Sequence, residues 1–496
     1  MEALTQLPLW EQTAAGTTPR DGKLVAAVDV GTTKVITLVG EEAGGGKVHV
    51  LAHSEAPLPR GSMLRGEVRN EGAVRDAIAA TVADIRERCN IDIRSVYTGM
   101  AGSGFRYAEN TDIHLRTNGS AVITESEVKE IEAQLYGQAA GRAEQILYVA
   151  PQEYGVDNRA GIANPVGIPG KRLSTTYRLF IGHAEPVDNL RWCIENAGLH
   201  LKRGLFKPLA AAQAVLSEDE KEMGVAVVDL GGGTTSAVVW YDNTVRYAAL
   251  IPFGGNTITD DICDGCGVLR RHANAIKIQH GSCYRDMVNA NTTLVVDTNG
   301  GNDTTRVSFA FLAGIIEARI EEIIEAVMYE IDRSGYADRL PGGLVFTGGG
   351  AMMQHLKEFV SAKTGMPVRI ARPQSLTSDS PKEVRQCHYA TAVGLLVAGI
   401  AVEKAAVITT QMPAEAAAQS LQAAPMEEEA GKQPVEISGG KKGAGAKGGW
   451  KKRARGQKEN AGSGGNLFDV IQDAIQDVIQ GVDGLFKKDP DEPPGV

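Results

Sequence analysis

Two rhythms of apolar positions alternate from Lys23 to about Ala401. Leu24–Val30 and Val35–Val39 are short β-branched runs separated by Gly31-Thr32-Thr33, which predicts strand, turn and strand. Val74, Ile78, Val82 and Ile85 recur at helical spacing, as do Val128, Ile131 and Leu135. Thr124, followed by Glu125 and Glu127, has the chemistry of an N-cap and an acidic first turn for that second helix. Leu312, Ile315, Ile316, Ile320, Ile323, Ile324, Val327 and Ile331 predict one long amphipathic helix. The longest apolar run, Ala390 to Val402, is interrupted by Thr391 and ends at Glu403. It is shorter than the ~20 residues that span a bilayer, so a buried core helix is expected. Strands and helices mixed in this way indicate an α/β protein.

Beyond Ala401 the rhythm stops. Residues 411–434 are rich in Ala, Gln and Glu. Residues 439–465 are rich in Gly and carry Lys441, Lys442, Lys447, Lys451, Lys452, Arg453, Arg455 and Lys458. Such a composition predicts a flexible linker. A helical period then returns: Leu467, Phe468, Ile471, Ala474, Ile475, Val478, Ile479, Val482, Leu485 and Phe486 fall in one arc of about 140°. A lone helix of ~20 residues is marginal in water, so this face needs a partner. A membrane surface, a protein groove and a frayed tail are the three readings, and the membrane is preferred. The polar face carries Asp469, Asp473, Asp477 and Asp483, whereas interfacial helices usually carry cations there. The basic linker compensates, each cation contributing up to ~1 kcal/mol near anionic lipid.

Composition changes the picture in three respects. At 496 residues and 43% hydrophobic, the chain can bury a sizeable core, and wholesale disorder is excluded. A net charge of −10 argues against a general nucleic-acid binder, and the linker with Trp450 is not read as one. Six scattered cysteines fit a reducing compartment better than a disulfide framework. Cys263-Asp264-Gly265-Cys266, with His280 and Cys283, matches no common zinc spacing. Residues 1–23 contain no continuous apolar stretch of the secretory kind, so a cytoplasmic chain is expected.

One internal echo carries the candidate chemistry. Val25-Ala26-Ala27-Val28-Asp29-Val30-Gly31-Thr32-Thr33-Lys34 resembles Val225-Ala226-Val227-Val228-Asp229-Leu230-Gly231-Gly232-Gly233-Thr234-Thr235. Each copy reads as a buried strand, an Asp, a Gly/Thr turn and a second strand. Gly-rich turns let backbone N–H groups converge on an anion, and Thr hydroxyls add donors. An Asp at the strand end suits Mg²⁺, usually held through water. Two such hairpins facing each other would clamp phosphates: Gly31, Thr32 and Thr33 from one side, Gly231, Gly232, Gly233 and Thr234 from the other, with Asp29 and Asp229 toward the metal. Either copy alone is only a hairpin; the matched pair is the signal. Leu344-Val345-Phe346-Thr347-Gly348-Gly349-Gly350 adds a third strand and Gly turn before a helix-like stretch. The chain contains no G-x-x-x-x-G-K-[ST] loop and no G-x-S-x-G elbow.

These motifs resemble the phosphate and adenosine motifs of the actin, sugar-kinase and heat-shock ATPase superfamily. Within it, the chain is most similar to the FtsA family of bacterial cell-division proteins. The similarity runs colinearly from about Val25 to Gly399 through Pro151-Gln152-Glu153-Tyr154, Asn164-Pro165-Val166-Gly167, Leu216-Ser217-Glu218, Ile251-Pro252-Phe253-Gly254-Gly255-Asn256, Ala275-Ile276-Lys277 and Thr391-Ala392-Val393-Gly394-Leu395-Leu396. It implies a duplicated, ribonuclease H-like two-lobed fold that holds ATP and Mg²⁺ between its lobes and carries an inserted subdomain. The expected division is a flexible tail, 1–22; a first lobe, 23–90 and 177–220; the insert, 91–176; a second lobe, 221–257 and 341–400; a nucleotide-side subdomain, 258–340; a linker, 401–465; and the amphipathic helix, 466–486. By the same resemblance Lys34 joins the phosphate side, Lys277 contacts ribose or adenine, and Gly348, Gly349 and Gly350 face adenosine. Arg319, on the 258–340 subdomain, is the candidate for pairing with the acidic C-terminal peptide of the tubulin-like FtsZ; a solvated helix face is the alternative.

Two departures matter. Asn274 stands where relatives often have Glu, which leaves one ribose contact open. Lys207-Pro208 stands where some actin-like ATPases have a water-activating Glu, and a charged Lys cannot act as that base. The resemblance therefore implies an ATP-binding, self-associating adaptor with at most weak ATPase activity. It would tether FtsZ filaments to the inner face of the cell membrane at the septum and recruit later division proteins. The rival is a sugar-kinase-like phosphotransferase, which needs a catalytic carboxylate that does not stand out here. A chaperone-type ATPase would need a β-rich domain after residue 400, where the linker lies.

Overall fold

The structure, a computed structural model, describes residues 24–101, 104–136, 141, 143–297 and 304–411. The expected N-terminal tail, most of the linker and the amphipathic helix with its membrane-facing residues lie outside the described residues.

Two five-stranded sheets share one plan. In the first, the spatial order is His200–Phe206, Ser95–Met100, Val25–Val30, Lys34–Gly44 and Lys47–Pro57. Three consecutive strands are antiparallel, and the remaining two run parallel to Val25–Val30. The second sheet repeats this order with Val368–Ile370, Leu344–Thr347, Val225–Leu230, Thr235–Tyr241 and Thr244–Ile251, in the same relative directions. The sequence echo is thus a structural duplication. Val25–Val30 is buried at every position and Val225–Leu230 at all but Asp229, as strands covered on both faces must be.

Helices close the faces at the apolar positions seen in the sequence. Glu71–Cys89 buries Val74, Ile78, Val82 and Ile85, and its N-terminus is capped by Asn70, whose side chain accepts from Ala73 N–H. Phe309–Arg333 buries Leu312, Ile316, Ile320, Ile323, Ile324, Val327 and Ile331 in the second core. The helix Ala390–Gln411 buries Ala392, Val393, Leu395 and Leu396, so the long apolar run is core. Among the described residues no helix is long and apolar enough to cross a membrane.

Two expected boundaries differ from the structure. The sequence expectation puts residues 390–400 in the second lobe, yet the helix Ala390–Gln411 packs on the helix Lys207–Val215 and on the first sheet. Gly394 permits this: a Cβ there would stand 1.7 Å from Ala210 O. The insert, expected at 91–176, is shifted at both ends. Ser95–Met100 belongs to the first sheet. The inserted sheet has the order Arg106–Leu115, Arg172–His183, Glu144–Val156 and Arg159–Ile162. Apolar periodicity identifies a strand without saying which sheet it joins.

The insert has a core of its own beneath the helix Glu125–Tyr136, including Ile123, Val128, Ile131, Leu135 and Tyr177. Thr124 and Glu127 form a reciprocal cap: Thr124 Oγ1 accepts from Glu127 N–H at 3.3 Å, and Glu127 Oε2 accepts from Thr124 N–H at 2.9 Å. Inside lies Glu132, only 2% exposed, accepting from the Tyr154 hydroxyl at 3.1 Å. Burial pushes its carboxyl up from an ordinary 4.5 to about 7. The folded form therefore prefers the protonated acid. Its stability is full below pH 4.5, falls as pH rises, and has lost the whole contribution once pH passes about 7. That contribution is about 3 kcal/mol. Glu132→Gln should raise the urea midpoint of the insert above pH 7 and leave it unchanged below pH 4.5. Equal gains at both pH values would show that the carboxyl's ionisation is not involved.

Candidate functional site

The two hairpins are built alike. Gly31 N–H donates to Lys34 O at 2.9 Å, and Gly231 N–H donates to Thr234 O at 3.0 Å. In the ladders Asp29 pairs with Ile36 and Asp229 with Ser236, so each Asp sits at the same step before its turn. The turns meet. A Cβ on Gly232 would stand 2.8 Å from Thr33 Cγ2, and one on Gly233 would stand 2.7 Å from Thr32 Cγ2. Thr side chains of one lobe thus rest on glycine backbone of the other.

Around this meeting point lies a cleft of about 600 Å³. Asp29, Gly31, Thr32, Thr33, Lys34, Asp229, Gly231, Gly232, Thr234, Lys277, Gly348, Gly349 and Gly350 all line it. Of the residues expected to bind ATP, Gly233 alone does not; it faces Thr32 instead. Arg319 does not line the cleft either. Its guanidinium is held by Asp261, with Nε–Oδ2 at 2.6 Å and Nη2–Oδ1 at 2.9 Å, and also pairs with Glu322. An incoming carboxylate would compete with Asp261 for that fork.

The cations of the cleft are already engaged. Lys34 Nζ is 2.6 Å from Glu55 Oε2. Lys277 Nζ donates to Gly255 O and to Thr259 Oγ1, each at 2.7 Å. Burial, helped by the Arg270 charge, pulls the Lys277 ammonium down to about 8. Burial pushes the Asp229 carboxyl up, against the Lys207 ammonium and a 2.9 Å hydrogen bond from Thr391 Oγ1, with the Asp29 charge adding to the rise. Lys207 Nζ lies 2.7 Å from Asp29 Oδ1 and donates to Val30 O at 2.9 Å.

Thr391, Asn256, His388 and Gly99 also line the cleft and were not singled out as binding residues. Thr391 is marked in the sequence only as the polar interruption of the apolar run. The sequence shows Lys207 only as a missing base, not as a partner of Asp29.

The residues fit a phosphate chain: paired glycine turns, Thr hydroxyls and the cleft they line. They fit Mg²⁺ at Asp29 poorly. Among the described residues the cation against Asp29 Oδ1 is Lys207, at 2.7 Å, so a divalent ion there would meet an ammonium already in place.

Comparisons with known proteins agree with this architecture. The family model "Cell division protein FtsA" matches residues 226–394, and "SHS2 domain inserted in FTSA" matches residues 107–181, which is the inserted sheet. The chain is 34% identical over 387 residues to cell division protein FtsA of Neisseria meningitidis, covering 77% of this chain and 91% of that one. It is 31% identical over 386 residues to FtsA of Pseudomonas aeruginosa, covering 77% and 90%. A solved chain of the PilM–PilN type IV pilus biogenesis complex superposes with a TM-score of 0.50 at 16% identity, covering 76% of this chain and 98% of that one, a likeness of fold alone. With its duplicated actin-like lobes and the family's own inserted domain, this chain belongs to the FtsA family of cell division proteins.

Proposed function

We propose that the chain is a nucleotide-binding, self-associating adaptor that ties FtsZ filaments to the cytoplasmic face of the cell membrane at the septum and recruits later division proteins. The observation that carries the reading is the meeting of two matched glycine turns, one from each lobe, over a single cleft. Gly31, Thr32, Thr33 and Lys34 with Gly231, Gly232 and Thr234 would hold the phosphates of ATP. Lys277 and Gly348–Gly350 would face the nucleoside. A bound triphosphate would touch both lobes at once and so fix their relative setting, which gives a nucleotide leverage over self-association. Lys207 lines the cleft and stands in the sequence where some actin-like ATPases have a water-activating Glu, so hydrolysis is expected to be weak.

The membrane step rests on the amphipathic segment 466–486 together with the cationic stretch before it, and the FtsZ step on family membership. Co-sedimentation tests both. The full chain should pellet with anionic vesicles and carry a fluorescent FtsZ C-terminal peptide with it, more so with ATP. Deleting residues 466–496 should abolish pelleting, leaving peptide binding in solution. Undiminished pelleting of the truncated chain would overturn the membrane assignment, and a peptide that stays in the supernatant with the full chain would overturn the FtsZ assignment.

A further inference from the structure

Lys207 is placed with care. It opens the helix Lys207–Val215 directly after the strand His200–Phe206. Its stem crosses the neighbouring strand at Gly99, where a Cβ would stand 3.2 Å from Lys207 Cγ and 3.3 Å from Lys207 Cβ. Any larger residue at 99 would press on that stem. The ammonium so delivered sits 2.7 Å from Asp29 Oδ1 and donates to Val30 O, while the cleft lining includes Lys207 beside both hairpins. The Asp29 carboxylate is 9% exposed and the Lys207 side chain 23% exposed, and Lys207 is among the residues that line the cleft. Asp229 is also largely committed: Oδ2 accepts from Thr391, and Oδ1 lies against Gly348, where a Cβ would be only 2.2 Å away.

Resting on the nucleotide reading above, we infer that the Lys207 ammonium, fixed on Asp29 and facing the paired glycine turns, is a built-in counter-ion for the phosphate chain, so that this protein binds ATP without needing a divalent cation. Three physical facts support it. Mg²⁺ needs near-octahedral oxygen ligation and keeps several waters, for which an Asp29 oxygen already paired with an ammonium offers little. A divalent ion drawn to Asp29 would be repelled by a cation only a few ångströms away, in a cleft where screening is weak. An ammonium with three rotatable donors can hold Asp29 and Val30 O and still turn a donor toward a phosphate oxygen.

The test is ATP binding to the full chain by isothermal titration, in excess Mg²⁺ and in EDTA, for wild type, Lys207→Gln and Lys207→Arg. Wild type should bind with affinities that agree within about threefold in the two buffers. Lys207→Gln removes one charge-assisted phosphate contact and should lose about tenfold or more in EDTA, recovering with Mg²⁺. Lys207→Arg should remain insensitive to EDTA. Wild-type binding that collapses in EDTA, or a folded Lys207→Gln that behaves like wild type in both buffers, overturns the inference and leaves the nucleotide reading standing. Should Lys207→Gln fail to fold, the wild-type pair of titrations decides alone. No binding by wild type in either buffer defeats the nucleotide reading, and the counter-ion role with it.

Discussion

Gly394→Ala should destabilise the chain by about 3 kcal/mol or more, and Gly394→Val should prevent soluble accumulation. The sign is what makes the experiment informative. In a helix interior, Gly→Ala ordinarily gains about 1 kcal/mol. Here the new methyl would stand 1.7 Å from Ala210 O and 2.4 Å from Ala210 C. Both are backbone atoms of a buried helix, so neither can rotate away. The helix Ala390–Gln411 would have to lift from Lys207–Val215, exposing Val393, Leu396 and Ala210, all of them fully buried. Gly399 provides the contrast. A Cβ there meets the Tyr97 ring, 2.6 Å from Cδ2, and a side chain can yield where a carbonyl cannot. Gly399→Ala should therefore cost less. Urea titrations of the three proteins read the difference directly, and a Gly394→Ala midpoint at or above wild type would refute the close crossing.

That crossing also marks how far the sequence could be read. The run from Ala390 to Val402 announced a buried helix, but nothing in its hydropathy says which lobe it covers. The answer depends on a glycine meeting a carbonyl contributed by a distant segment. Ser95–Met100 poses the same problem, as a good strand whose sheet is not written in its own period. The hairpins were legible because duplication is itself a sequence signal, and because Asp, Gly and Thr stand in fixed order within ten residues. Their facing one another was not written there; it follows from two sheets of like topology brought together. Lys207 shows the limit most clearly. Its residue type excluded a base, yet its pairing with Asp29 needs two strands laid side by side and a glycine at 99 to let the stem pass. Thr391 likewise reaches Asp229 only because its helix, packed on the first sheet, begins at the edge of the cleft.

The Gly348-Gly349-Gly350 turn gives the second large effect, and its three positions should respond unequally. Gly348 has φ +85°, a region that costs an L-residue about 1–2 kcal/mol. Its Cβ would also stand 2.2 Å from Asp229 Oδ1 and 2.7 Å from Leu230 O. Gly348→Ala must push the Asp229 carboxylate away from its place before the second turn, and ATP affinity should fall by about tenfold or more. Gly349, one residue on, has φ −65°, and a Cβ there meets only His388 Cβ at 3.8 Å. Gly349→Ala should leave affinity within about twofold, since 3.8 Å is ordinary van der Waals contact. Gly350 falls between: it lacks the positive φ of Gly348, but its Cβ would press on Leu230 Cγ at 2.4 Å and Leu230 O at 3.0 Å. Equilibrium dialysis with labelled ATP, beside circular dichroism to confirm folding, ranks the three. If the turn served only to begin a helix, Gly349→Ala and Gly348→Ala would differ in melting temperature and not in affinity. A loss of affinity confined to Gly348, with the fold intact, would place the nucleotide against Asp229 and the turn that holds it.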